Sequence, residues 1–292
     1  MQYNRRKFIK ISGAATAGLT FGTIAGFPAL SSCDETARRI KKFGIQLYSL
    51  RDDMPNNPKG VLKSLASFGY KQIESYEHDK LGIFWGMGHL DFKKYMDELG
   101  MTIVSSHCNI NKDFERKAAE AAAIGMRYLI CPSVDAQKNI DGYKKLAEQF
   151  NSCGEICKKN GIRFAYHNHD HDFKTIDGQV AQDIFMKDTD ASLVDFEMDI
   201  YWVITAGQDP HAWLNKYPNR FRLCHIKDRV KGTTKREDTC ILGEGSIDFK
   251  SILNDARKNG MEYYIVEQEH YPASTPLKSM EADAGYMRKL KL

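Results

Sequence analysis

Six of the nine histidines, His107, His167, His169, His171, His225 and His270, stand just after short apolar runs. Carboxylates occupy matching places at Glu74, Glu197, Asp199, Glu267 and Glu269. Gln46, Tyr48, Arg51, Ser105, Ser106, Trp202, Lys227 and Asp228 complete this polar set. Random scatter would not put so many imidazoles at the ends of apolar runs. Imidazole and carboxylate groups drawn from distant stretches to one mouth make the donor set of a divalent-metal site. Mixed nitrogen and oxygen donors suit Mn²⁺, Zn²⁺, Co²⁺ or Fe²⁺ better than Ca²⁺, which takes oxygen ligands.

Such residues need a scaffold that gathers strand ends, and the chain repeats a unit of the right kind. A helix-like segment ends in a glycine and a short apolar strand follows. The phrase reads Phe68-Gly69-Tyr70 before Gln72-Ile73-Glu74, Leu99-Gly100-Met101 before Thr102-Ile103-Val104, and Ile124-Gly125-Met126 before Tyr128-Leu129-Ile130. It returns at Asn160-Gly161-Ile162 and Asn259-Gly260-Met261. A glycine just past a helix takes the left-handed conformation that turns the chain into the next strand. Between these points the apolar residues have helical period, as in Ile140, Tyr143, Leu146, Ala147, Phe150, Cys153, Ile156 and Cys157. The strands are continuous apolar runs, as expected when both faces of a parallel sheet are buried.

Eight strands are predicted, near residues 44–50, 71–75, 101–107, 127–132, 162–167, 193–199, 221–227 and 263–268, each with a helical stretch after it. Eight such units in about 250 residues predict an α/β protein of (β/α)8, or TIM-barrel, form, whose chemistry sits at the C-terminal strand ends. The rival, an open doubly wound sheet, would carry a glycine-rich phosphate loop after its first strand. Ser49-Leu50-Arg51-Asp52-Asp53 is not one.

The first residues read as an address. Arg5-Arg6-Lys7-Phe8-Ile9-Lys10 is a twin-arginine segment, and the uncharged run from Ile11 to Leu30 follows it. Leu30-Ser31-Ser32-Cys33 resembles a lipobox, with Cys33 as the lipidated residue. The expected organisation is an export signal over 1–32, a linker over 33–41 and a single barrel domain over 42–292. The expected location is periplasmic, with membrane attachment only through a lipid on Cys33. Removing Arg5, Arg6, Lys7 and Lys10, with no acid among residues 1–32, takes the formal charge of +4 to zero. That argues against nucleic acid as a partner. Cys108, Cys131, Cys153, Cys157, Cys224 and Cys240 contain no CxxC pair and read as buried free thiols.

Five runs in order, Tyr166-His167-Asn168-His169, Asp199-Ile200-Tyr201-Trp202, His225-Ile226-Lys227-Asp228, Gly243-Glu244-Gly245-Ser246-Ile247-Asp248 and Ile265-Val266-Glu267-Gln268, resemble the xylose-isomerase-like TIM-barrel family. The resemblance spans residues 42–290. It implies sugar chemistry of the isomerase, epimerase, inosose dehydratase or 3-keto-sugar lyase kind. It also implies metal ligands at Asp199, His225 and Glu267, with His167 at the fifth-strand position where the epimerases have Glu.

The expected reaction is proton abstraction next to the carbonyl of a sugar or keto-sugar, through a metal-stabilised enediolate. Glu267 is the expected base, with His169 or His107 as the acid on the opposite face. Glu74, Trp202, Lys227, Asp228 and Glu244 are the expected substrate contacts, Glu244 on a lid loop near 229–247. The reading is a divalent-metal-dependent isomerase or epimerase. Its close alternative is a lyase or dehydratase that eliminates water or an aglycone. A non-catalytic sugar-binding lipoprotein is the second alternative.

Overall fold

The computed structural model describes residues 39–292 apart from 234 and 273, so the export and lipidation expectations for 1–32 and Cys33 lie outside the described residues. Eight parallel strands close into a barrel: β1 (Gly44–Gln46), β2 (Gln72–Tyr76), β3 (Thr102–His107), β4 (Tyr128–Cys131), β5 (Arg163–His167), β6 (Val194–Asp199), β7 (Phe221–Ile226) and β8 (Tyr263–Val266). Each pairs with its sequence neighbours, and β8 returns to β1 through Gly44 opposite Ile265. The outer helices are α1 (Pro58–Phe68), α2 (His89–Glu98), α3 (Phe114–Ala123), α4 (Ile140–Lys159), α5 (Ala181–Asp188), α6 (Ile200–Thr205), α7 (Pro210–Lys216), α8 (Phe249–Lys258) and α9 (Pro276–Lys289). The predicted (β/α)8 barrel is therefore present. None of the described helices is long and apolar enough to cross a membrane.

One boundary differs. The first strand stops at Gln46, and Leu47–Leu50 forms a 3-10 turn instead of more strand. The Gln46 side chain accepts the Tyr48 N–H at 3.1 Å and so caps the turn. A buried glutamine that satisfies a backbone donor locally ends the ladder there.

Alternation along the strands sorts the residues into layers. In β6, Val194, Phe196 and Met198 pack outward into the shell beneath the helices, while Asp195, Glu197 and Asp199 share the other face. Tyr128, Ile130, Ala165 and Leu223 form a separate apolar cluster, with Tyr263 packed against it. The charged residues nearer the strand ends rest on this plug, which leaves the C-terminal mouth as the face open to a ligand. All six cysteines among the described residues are free, five of them buried, as expected.

Asp283 in α9 is buried; its Oδ1 accepts the Leu242 N–H at 2.8 Å, and its Oδ2 has no hydrogen-bond partner. Burial pushes its carboxyl up to about 8, with Asp228 and Glu244 adding to the rise against the Leu242 bond. The folded chain thus keeps a proton that the unfolded chain releases above about 4. Stability contributed by this site is present below that value and is lost as pH rises toward 8. Asp283→Asn should therefore raise the Tm by a few degrees at pH 8 and leave it nearly unchanged at pH 4, measured by thermal denaturation. Equal Tm differences at both pH values would contradict this assignment.

Candidate active site

The mouth is organised by strand register. Asp199 lies opposite His225 across β6 and β7, His225 lies opposite Ile265 of β8, and His167 lies opposite Glu197. Glu74, Glu197, Asp199, His167 and His225 are all buried, and the expected ligand Glu267 is only 5 % exposed.

His225 is the hub. Its Nε2 is 2.6 Å from Glu74 Oε1 and 3.3 Å from Glu197 Oε2. On the other side its Nδ1 is 3.1 Å from Glu267 Oε2 and 3.8 Å from Asp199 Oδ2. His107 Nε2 lies 2.9 Å from Glu197 Oε2, and His167 Nδ1 lies 3.0 Å from the same oxygen. His167 Nε2 is 3.8 Å from Asp199 Oδ2.

Two overlapping groups of donors result. One is Asp199, His225 and Glu267, and the other is His107, His167, Glu197 and His225; within each, one atom per residue lies within 4.8 Å of the others. The expected ligands therefore converge, but His167 falls with the second group. Both groups carry the nitrogen and oxygen donors that Zn²⁺, Mn²⁺, Co²⁺ or Fe²⁺ accept. Buried Glu197 Oε1 accepts no hydrogen bond, and buried Asp199 Oδ2 is met by the Lys227 ammonium at 3.0 Å, so both oxygens suit a cation.

Burial lowers the basicity of His225, but Glu197, Glu267 and Glu74 outweigh it and hold the ring protonated well above the usual histidine range. Burial is likewise outweighed at His107, where Glu74 and Glu197 lift the imidazole to about 9. Glu74 runs the other way: burial pushes it up, and His107 and His225 hold it well below the usual carboxylate range. For Glu267, Lys227 and His225 overcome burial and keep the carboxyl low. Burial, with Glu74 beside it, raises Glu197 to about 7. His167 and His169 are pushed down, His169 to about 3, by burial and nearby cations.

A cavity of about 460 Å³ opens onto these groups. His107, His167, His169, Glu267 and Glu269 are among the residues that line it, with Tyr48, Tyr76, Glu77, Asp79, Asn109 and Lys112. Trp202 stacks behind His169, with ring centroids 5.5 Å apart. Three expected substrate contacts do other work. Glu74 sits below the mouth and is held by Gln46 Nε2 at 2.7 Å and Ser105 Oγ at 2.6 Å. Asp228 accepts backbone N–H groups of Arg229, Gly243, Gly245 and Ile247 and so shapes the following loop. A Cβ on Gly245 would meet Asp228 Oδ1 at 2.2 Å, which explains a glycine there. Glu244, exposed on that loop, is not among the residues that line the cavity. Glu197 and His107 are the members of these groups that lie outside the expected ligand set, His107 being expected as an acid. For Glu197, the two-residue spacing from Asp199 on one strand was the available signal.

The family model described as xylose isomerase-like TIM barrel matches residues 62–290. A crystal structure of a sugar phosphate isomerase/epimerase from Parabacteroides distasonis is 32% identical, with a TM-score of 0.72, and the match covers 89% of this chain and 97% of that one. An inosose dehydratase from Clostridium beijerinckii is 32% identical over 150 residues, 46% of this chain and 50% of that protein. The chain thus spans about half the length of the curated relatives it matches. The structure of the IOLI protein with a bound zinc atom has a TM-score of 0.69 at 17% identity, covering 84% of this chain and 95% of that one, a likeness of fold. This chain belongs to the xylose isomerase-like TIM-barrel family.

Binding of a divalent ion to the folded state should stabilise it by mass action. Differential scanning fluorimetry with Zn²⁺ or Mn²⁺ should show a Tm rise of several degrees. Asp199→Asn and His225→Ala should lose most of that rise, and an equal rise in both variants would place the ion elsewhere.

Proposed function

We propose that the protein is a divalent-metal-dependent lyase that removes a proton next to the carbonyl of a keto-sugar and then expels an oxygen from the β-carbon. Asp199, His225 and Glu267 would hold the ion, with His167 adjoining. A bound divalent ion supplies Lewis-acid stabilisation of the enediolate charge.

The observation that carries this reading is an asymmetric pair of imidazoles in one cavity. His107 Nε2 lies 2.9 Å from Glu197 Oε2 and 3.2 Å from Glu74 Oε1, which favours its protonated form, while burial and Lys227 favour the neutral form of His169. A neutral imidazole accepts a proton and an imidazolium gives one. His169 is therefore the base and His107 the acid. His169 takes the place expected for Glu267 on geometry: Glu267 Oε2 is occupied by Lys227 Nζ at 2.8 Å and His225 Nδ1 at 3.1 Å, whereas His169 lines the cavity and its Nδ1 has no hydrogen-bond partner. Elimination needs one base and one acid. Epimerisation also uses a base and an acid, on opposite faces of the carbon; what favours elimination is that the fifth strand ends in His167, where the resemblance to the epimerases implies a carboxylate. The inosose dehydratase relatives point the same way.

The isomerase or epimerase reading keeps the same enolisation and ends with a proton returned to carbon. The similarity to the Parabacteroides distasonis sugar phosphate isomerase/epimerase supports it. Export by the twin-arginine segment and lipid attachment at Cys33 complete the proposal.

His169→Ala should lower kcat by about 10²–10⁴-fold on a keto-sugar or keto-glycoside that the wild type turns over. The metal-induced Tm rise should survive, because His169 is not in either donor group. Product analysis by NMR in D₂O should show loss of water or aglycone. Deuterated epimer as the sole product would support the isomerase reading instead, and unchanged turnover in the variant would remove His169 as base.

A further inference from the structure

We propose that Lys227 is a built-in counter-cation: its ammonium holds the oxygens that a divalent ion would take, and the ion enters as the ammonium releases them while keeping its existing contact with Glu269. This rests on the metal reading given above and concerns how that site is loaded.

Lys227 is fully buried, and its Nζ lies 3.0 Å from Asp199 Oδ2 and 2.8 Å from Glu267 Oε2. Asp199 has only that oxygen to offer, since its Oδ1 accepts the Trp202 N–H at 3.1 Å and caps α6. Glu267 Oε2 is also the oxygen that faces His225 Nδ1. The ammonium therefore touches two of the three donors in the Asp199, His225 and Glu267 group, through the oxygens that face the third. An ion bound about 2.0–2.2 Å from those oxygens would lie roughly 5 Å or less from Nζ. Two cations that close, away from water, repel strongly.

An exit is provided. Glu269 Oε1 lies 2.5 Å from Nζ, and Glu269 lines the cavity. The ring centroids of Trp202 and Tyr201 lie 5.0 and 5.6 Å from Nζ, so the ammonium keeps an aromatic face as it moves. Two consequences follow. The acids are partly neutralised without an ion, so folding does not wait for one. Loading the ion also delivers the ammonium to the cavity, where it can donate to a substrate oxygen.

The test measures Zn²⁺ and Mn²⁺ dissociation constants by chelator competition, without substrate, for wild type, Lys227→Met, Glu269→Gln and the double variant. Lys227→Met should bind the ion about tenfold or more tighter, since it removes a competing cation. Glu269→Gln should weaken binding severalfold in the wild-type background and have little effect in Lys227→Met, because the carboxylate acts through the lysine. Equal or weaker binding by Lys227→Met overturns the proposal. So does a Glu269→Gln effect that persists in full without the lysine, which would mark plain long-range charge.

A readout on unaltered protein guards against a variant that fails to fold. Reductive methylation followed by peptide mass spectrometry should modify Lys227 severalfold more in metal-loaded protein than in metal-free protein. Equal protection in both states also overturns the proposal. Failure of every protein to bind either ion at millimolar concentration would remove the metal reading together with this one. Unchanged binding in Lys227→Met would remove this one alone.

Discussion

Glu74, Glu197, Asp199 and Glu267 are buried around His225, each with an oxygen within 3.8 Å of a ring nitrogen, where water cannot solvate them. Carboxylates in such a place stay ionised only if cations lie beside them. His107, His225 and Lys227 supply three, and each is held protonated by the acids it faces. Three cations thus face four acids, with Glu269 as a fifth at the cavity wall. The barrel must hold this arrangement rigid, which is why the polar layer rests on the apolar plug and its members come from six different strands or strand ends. A divalent ion held by Asp199, His225 and Glu267 would take the place of the His225 proton and of the Lys227 ammonium, since only a neutral imidazole ligates.

The same electrostatics divides the labour among groups of one type. His107 and His169 line one cavity, yet the first stands beside Glu74 and Glu197 and the second lacks a carboxylate that close. Neighbours therefore push their proton affinities apart. Among the carboxylates, Glu267 is tied to Lys227 and His225, whereas Glu197 is raised by Glu74 and burial. Residue type alone carries neither distinction, because each follows from which strands lie side by side.

Much of the fold was legible because it rests on local rules. The glycines at 69, 100, 125, 161 and 260 do take positive φ and mark helix ends before strands. Gln46 ended β1 early through a side-chain bond that periodicity does not register. In the site, strand-end position was enough to gather Asp199, His225, Glu267 and the histidines. It does not separate a strand end that faces the cavity from one that faces inward, so position alone suggests a substrate contact at Glu74 and does not rank Glu197 among the ligands. Asp228 follows β7 at the mouth, but its carboxylate is consumed by loop N–H groups, a use that spacing cannot reveal. The roles of Glu267 and His169 depended on Lys227, whose direction the sequence left open.

The central claim is that carboxylates and imidazoles from separate strands close around one cation. It is tested most directly by anomalous diffraction at the absorption edge of a transition metal in crystals of the metal-loaded protein. A strong peak bound by Asp199, His225 and Glu267, about 2.0–2.3 Å from the ligating atoms, is the expected result. A loaded crystal without a peak at the mouth, or with a peak held by other residues, would contradict it.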